Sequence, residues 1–232
     1  MPGSTASPGK TPEEWQARHP GDPPPGESLA IWRWNAPAAR AQTSILSQEE
    51  LSRAGNMAPR RGARFLADRS ALRRILACHL ARPPGSLAFT YSALGRPALA
   101  PRGEISLDFN LSHSGDLSVL AVCHTGAVGV DIEHLRALPY ILAVARRLFP
   151  QSWVERLRAQ PEATRRRAFF ELWTLFEACQ KAKGRGVFSA VSAVIDQAAR
   201  AFLVTDDCIG HVCLPGAALP PDIVWLQFDA ND

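Results

Sequence analysis

The chain has 232 residues, 46% of them hydrophobic and 21% charged, with a net charge of +4 and a sequence pI near 9.0. That balance fits one large or two small globular domains. It lacks the cationic excess of a nucleic-acid binder, and it suits a phosphorylated ligand or an acidic protein partner.

Residues 1–28 hold seven of the 19 prolines among Gly, Ser and charged residues, so a disordered extension is expected there. They contain no apolar stretch of the kind a secretory signal needs. LAIWRWN (29–35) reads as the first strand, with Leu29, Ile31 and Arg33 alternating with Ala30, Trp32 and Trp34. SQEELSRAG starts a short helix in which Ser47 and Glu50 make a capping box. RRGARFLADRSALRRILACHLARPP reads as a long helix. Leu72, Ile75, Leu76, His79 and Leu80 form its apolar stripe, and Pro83 and Pro84 end it. Its Arg69, Arg73 and Arg74 read either as a solvated face or as binding groups. ALGRPAL has turn chemistry. ISLDFNLSHSG alternates Ile105, Leu107, Phe109 and Leu111 as a strand, and LSVLAVCHTG and AVGVDIEHL supply two more. Two helices are expected over 139–158 and 163–183, the second closed by Gly184 and Gly186. RAFLVTDD, GHVCLPG and DIVWLQFD offer short strands.

The fold class is α+β, with a half over 29–125 and a second over 126–232. No apolar run reaches the roughly 18 residues of a membrane helix, so no membrane partner is expected. The five cysteines, Cys78, Cys123, Cys179, Cys208 and Cys213, are odd in number and include no CxxC. They read as small buried residues of a reducing, cytoplasmic protein.

Three segments carry candidate chemistry. In VGVDIEHL, Asp131 and Glu133 lie two apart on a strand and share a face. They are either exposed acids at a strand end or a pair that needs a cation between them. In FNLSHSG, His113 between Ser112 and Ser114 can bind a phosphate, ligate a metal or cap a turn. In WTLFEACQKAKG, Trp173, Glu177 and Lys181 recur every four residues along a helix, as a surface ion pair or as part of a site.

Together the three segments resemble the surfactin-type 4'-phosphopantetheinyl transferases. That family is marked by F-N-[IL]-S-H-[ST]-G, G-[IV]-D-[IV]-E and W-[ST]-x-K-E-[AS]-x-x-K-x-x-G. Here these read FNLSHSG (109–115), GVDIE (129–133) and WTLFEACQKAKG (173–184), in that order. Weaker similarity extends over about residues 45–190. The resemblance implies two similar α/β halves related by a pseudo-twofold, with the active cleft between them. It implies transfer of 4'-phosphopantetheine from coenzyme A to a serine of an apo acyl or peptidyl carrier protein, with release of 3',5'-ADP. It implies Mg²⁺ on Asp131, Glu133 and Glu177, with Glu177 as base and Lys181 beside it on the phosphates. It also implies coenzyme A contacts from Ser112, His113 and Arg96, and from Arg60 or Arg64 to the 3'-phosphate. A monomer with no nucleic-acid partner is expected.

Two features depart from the family. Phe176 stands where a Lys is usual, directly before Glu177, and raises the alternative of a catalytically weakened coenzyme A-binding relative. The chain also stops after DIVWLQFDAND, so the second sheet is expected to be a strand short.

Overall fold

The computed structural model describes residues 14–19, 22, 29–37, 39–93, 95–100, 107–184, 197–216, 218–220 and 222–228. Ile105 of the expected strand and Gly186 lie outside these. The fold is α+β, and the described residues divide into two compact units.

One unit holds residues 14–111, 115–126 and 220–228. Its sheet is built on β2 (Leu29–Asn35), which pairs antiparallel with β6 (Leu117–Cys123) in the register Trp32↔Leu120. Strand β10 (Val224–Phe228) pairs parallel with the other edge of β2. β1 (Gln16–Arg18) pairs parallel with β10, and β5 (Asp108–Ser114) follows β6. The long helix α2 (Pro59–Leu80) places Leu72, Ile75 and Leu76 in one core with Trp32, Trp34, Phe109 and Leu226. Two polar links anchor it there. Asp68 Oδ1 accepts from Trp34 Nε1 (3.0 Å) and from Ser118 Oγ (2.7 Å). A hairpin of β3 (Phe89–Tyr91) and β4 (Pro97–Leu99) turns at Gly95, whose φ of +78° favours glycine.

Three expectations change in this unit. Residues 1–28 were expected to be disordered throughout, yet β1 lies among them. Trp15, the one large aromatic in that stretch, packs edge-on against Trp225 at 5.4 Å, and the Arg33 guanidinium lies 4.5 Å over its ring. The C-terminal strand, expected in the half over 126–232, joins this sheet instead. Its register sets Trp225 against Ile31 and Leu226 against Trp32, which buries it.

Third, Arg69 and Arg73 form no solvated face. Both are buried and hold Glu50, at 2.6 and 2.9 Å. Glu50 belongs to α1 (Gln48–Gly55), where it completes the capping box with Ser47. Burial works against its ionised form. The Ser47 amide and the two guanidinium groups outweigh that and hold the carboxyl below its ordinary range.

The other unit holds residues 112–114 and 127–219. Its antiparallel sheet runs β7 (Gly129–His134), β9 (Cys208–Pro215), β8 (Gln197–Thr205). Helix α5 (Glu162–Ala182) lies close on β7. A Cβ at Gly129 would run into the backbone of Ala178 and Ala182, so this position admits only glycine. The helix expected over 139–158 is two, α3 (Ile141–Leu148) and α4 (Gln151–Ala159). Pro150 forces Phe149 to extended angles (φ −113°, ψ 156°) and splits them. Phe149 then joins an aromatic core with Phe169, Trp173 and Phe176. All five cysteines are free, and four are buried.

Candidate functional site

Strand alternation sets the site. Positions 129, 131 and 133 of β7 share the face that meets α5. On that face Asp131 is 5% exposed, and Glu133 is half-buried at the strand's end. The last three residues of β5 alternate in the same way. Ser112 and Ser114 turn inward and are buried, while His113 points the other way and is exposed.

Helix α5 supplies Glu177 and Lys181, one turn apart, with Lys181 Nζ 4.0 Å from Glu177 Oε2. Lys181 Nζ donates to Asp131 Oδ1 at 2.6 Å and to Val130 O and Ser112 Oγ at 3.2 Å each. Ser112 Oγ in turn donates to Asp131 Oδ1 at 2.8 Å. Glu133 Oε2 accepts from Ser114 Oγ (3.0 Å) and from Arg136 Nη1 (2.7 Å). Trp173, read as sharing a line with Glu177 and Lys181, stacks on Phe169 instead, with ring centroids 6.4 Å apart. Steps of four drift around a 3.6-residue helix, and Thr174, seven before Lys181, keeps the sheet-facing position. There it hydrogen-bonds buried His211 at 2.8 Å.

The electrostatics of the cluster are those of crowded carboxylates. Burial pushes Glu177 up to about 7, Asp131 and Glu133 add to that, and Lys181 opposes it. Burial likewise raises Asp131 against the pull of Lys181 and Ser112. Asp131 Oδ2 is buried and has no hydrogen-bond partner among the described residues. A buried carboxylate oxygen without a donor is costly unless a cation meets it. Among the described residues no three Asp, Glu, His or Cys side chains converge on one ion position as they stand. Lys181 and Arg136 take up one oxygen each of Asp131 and Glu133. The donor set is nevertheless that of a hard divalent ion: carboxylate oxygens, one unpartnered, with excess negative charge around them.

The remaining candidates lie in the other unit. Arg60 is exposed in the first turn of α2. Arg64 donates to Gly115 O, to Leu117 O (3.2 Å) and to Ser118 Oγ (3.3 Å), and so clamps the turn between β5 and β6. Arg96 bonds Asp108 Oδ2 at 2.8 Å and Phe109 O at 3.2 Å. Sequence reasoning missed Ser114 and Arg136. The alternation of FNLSHSG carries the signal for Ser114, since it puts both serines on one face. Arg136, in irregular chain after β7, has none.

Known proteins share extensive sequence with this chain. Residues 127–213 match the 4'-phosphopantetheinyl transferase superfamily, ACPS. The chain is 37% identical over 167 residues to the 4'-phosphopantetheinyl transferase HetI of Nostoc sp., covering 69% of this chain and 70% of that protein. It is 36% identical over 153 residues to a putative 4'-phosphopantetheinyl transferase, slr0495, of Synechocystis sp., covering 66% of this chain and 62% of that protein. It is also 36% identical over 137 residues to the 4'-phosphopantetheinyl transferase psf-1 of Bacillus pumilus, covering 56% and 57%. The chain therefore belongs to the 4'-phosphopantetheinyl transferase superfamily, a family of transferase enzymes. Among the described residues no helix is long and apolar enough to cross a membrane.

Proposed function

We propose that the chain is a surfactin-type transferase that moves 4'-phosphopantetheine from coenzyme A to a serine hydroxyl of an apo acyl or peptidyl carrier protein. The reaction is Mg²⁺-dependent and releases 3',5'-ADP. The observation that carries this reading is the buried Asp131 carboxylate, shared between Lys181 and an unpartnered oxygen, with Glu177 close by.

Asp131, Glu133 and Glu177 are the residues that would hold the metal. When bound, magnesium supplies positive charge against the diphosphate of coenzyme A and favours loss of the attacking hydroxyl's proton. Asp131 keeps one oxygen on Lys181 and offers the other. Glu177, which burial and the neighbouring acids push up to about 7 in the absence of a cation, takes the proton of the carrier serine in its carboxylate form. Lys181 fixes Asp131 and adds a point charge for the transferred phosphate. His113, exposed near the end of β5, is assigned to the coenzyme A phosphates. Of the two arginines expected at the 3'-phosphate, Arg60 is exposed, whereas Arg64 is committed to the β5–β6 turn.

Incubation with coenzyme A, Mg²⁺ and a panel of apo-carrier domains, followed by intact-mass measurement, tests the reading. At least one carrier gains one phosphopantetheine arm. A panel left wholly unmodified would remove the assignment.

A further inference from the structure

The two serines of FNLSHSG repeat one hydrogen-bonding unit. Ser112 Oγ donates to Asp131 Oδ1 (2.8 Å) and accepts from the Ile132 amide (3.3 Å). Ser114 Oγ donates to Glu133 Oε2 (3.0 Å) and accepts from the His134 amide (3.0 Å). Each hydroxyl thus bridges a carboxylate and the amide that follows it on β7. The spacing of two on β5 matches the spacing of two between the acids.

A hydroxyl has one hydrogen to donate and two lone pairs. Ser112 gives its hydrogen to Asp131 and receives from the Ile132 amide and from Lys181 Nζ at 3.2 Å, so its capacity is full. A phosphate oxygen needs a donor, and Ser112 has none left. The residue is also 5% exposed.

From this the geometry assigns Ser112 and Ser114 as positioning residues that orient Asp131 and Glu133 toward a divalent cation, rather than as phosphate ligands. The assignment rests on the transferase reading of the same site. Ser112 fixes which Asp131 oxygen faces Lys181, and so leaves Oδ2 as the one without a partner. Ser114 shares Glu133 Oε2 with Arg136 in the same manner. Groups that orient ligands in this way set metal affinity.

The test measures Mn²⁺ binding to the substrate-free protein by electron paramagnetic resonance, beside coenzyme A kinetics at saturating Mg²⁺. Ser112→Ala weakens Mn²⁺ binding by about tenfold or more and leaves the KM for coenzyme A unchanged. Ser112→Thr, which keeps the hydroxyl, restores the affinity. Ser114→Ala repeats the effect through Glu133 and serves if Ser112→Ala fails to fold. Unchanged Mn²⁺ affinity with a raised KM in Ser112→Ala would overturn the assignment and make Ser112 a phosphate ligand. Equal losses in the Ala and Thr variants would also overturn it. A protein that modifies no carrier, yet loses Mn²⁺ affinity on Ser112→Ala, would end the transferase reading and keep this one. Normal transfer with unaltered Mn²⁺ affinity would do the reverse.

Discussion

Lys181 Nζ lies 2.6 Å from Asp131 Oδ1, while the other oxygen of that carboxylate is buried without a partner among the described residues. Glu133 differs: it is half-buried and paired with exposed Arg136. The two acids therefore rank unequally. Asp131→Ala leaves Lys181 without its closest carboxylate and abolishes transfer. Glu133→Ala is milder and recovers in part at high Mg²⁺, because water can fill one magnesium position. Initial rates over a magnesium titration check this; equal and complete loss in both variants would contradict it.

Phe176 is 1% exposed and packs against Phe149 and Trp173, with centroids 6.3 and 6.4 Å away. The Phe176 side chain thus lies in the aromatic core packed by α5 and does not face the Glu177 cluster. Phe176→Lys buries an ammonium and opens a cavity. A loss of ~3 kcal/mol or more is expected, which lowers the melting temperature by roughly 6–12 °C. The KM for coenzyme A does not fall. An unchanged melting temperature with a much lower KM would show that the missing cation belongs to the phosphate site.

Much of this site is legible in the sequence because period-2 and period-3.6 spacing fix which side chains share a face. Asp131 with Glu133 on β7, and Glu177 with Lys181 on α5, follow from that as pairs; that the two pairs belong to one site is what the family resemblance implies. Arg69 and Arg73 do not follow from spacing. Their burial depends on Glu50, 19 and 23 residues away on another helix, and no local pattern records that. β1 was hidden for the same reason, since Trp15 finds its partner on β10 at the far end of the chain. His113 was paired with Ser112 by adjacency, whereas strand alternation puts them on opposite faces.

Glu177, at about 7 against an ordinary 4.5, predicts a pH dependence. The base form dominates only above about pH 7, so rates at limiting magnesium rise through that point. The rise moves to lower pH as magnesium increases, because a cation favours the carboxylate. For stability the sign is opposite. The raised value means the folded state disfavours the charge, a penalty absent below pH 4.5 that grows as pH rises through about 7. Glu177→Gln therefore removes the acid limb of the rate profile and raises the melting temperature at pH 8. A retained limb near pH 7 in that variant would assign it to another group.

One buried histidine, His211, and one half-buried histidine, His79, predict acid lability. Trp32 Nε1 donates to His79 Nε2 at 3.0 Å, which leaves His79 Nδ1 as the donor to His124 Nε2 at 3.1 Å. Burial, with a contribution from His124, lowers His79 to about 3, and burial lowers His211 to about 4. Both are neutral in the fold, so their contribution is present above pH 6.5 and lost as pH falls toward those values. His79→Gln reduces the pH slope of unfolding free energy between pH 6 and 4 by up to ~1.4 kcal/mol per pH unit. Urea melts across that range would contradict the account if the slope stayed the same.

The central claim, that the Asp131–Glu177–Lys181 cluster carries phosphopantetheinyl transfer, is tested most directly by time courses with a responsive apo-carrier at saturating coenzyme A and Mg²⁺. 3',5'-ADP and modified carrier are quantified from the same quenched samples, for the wild type and for Glu177→Gln. The account predicts equal molar amounts of the two products in the wild type. It predicts a rate lower by at least about a hundredfold in the variant, as expected when a general base is lost. A variant that transfers at the wild-type rate, or 3',5'-ADP release without carrier modification, would contradict it.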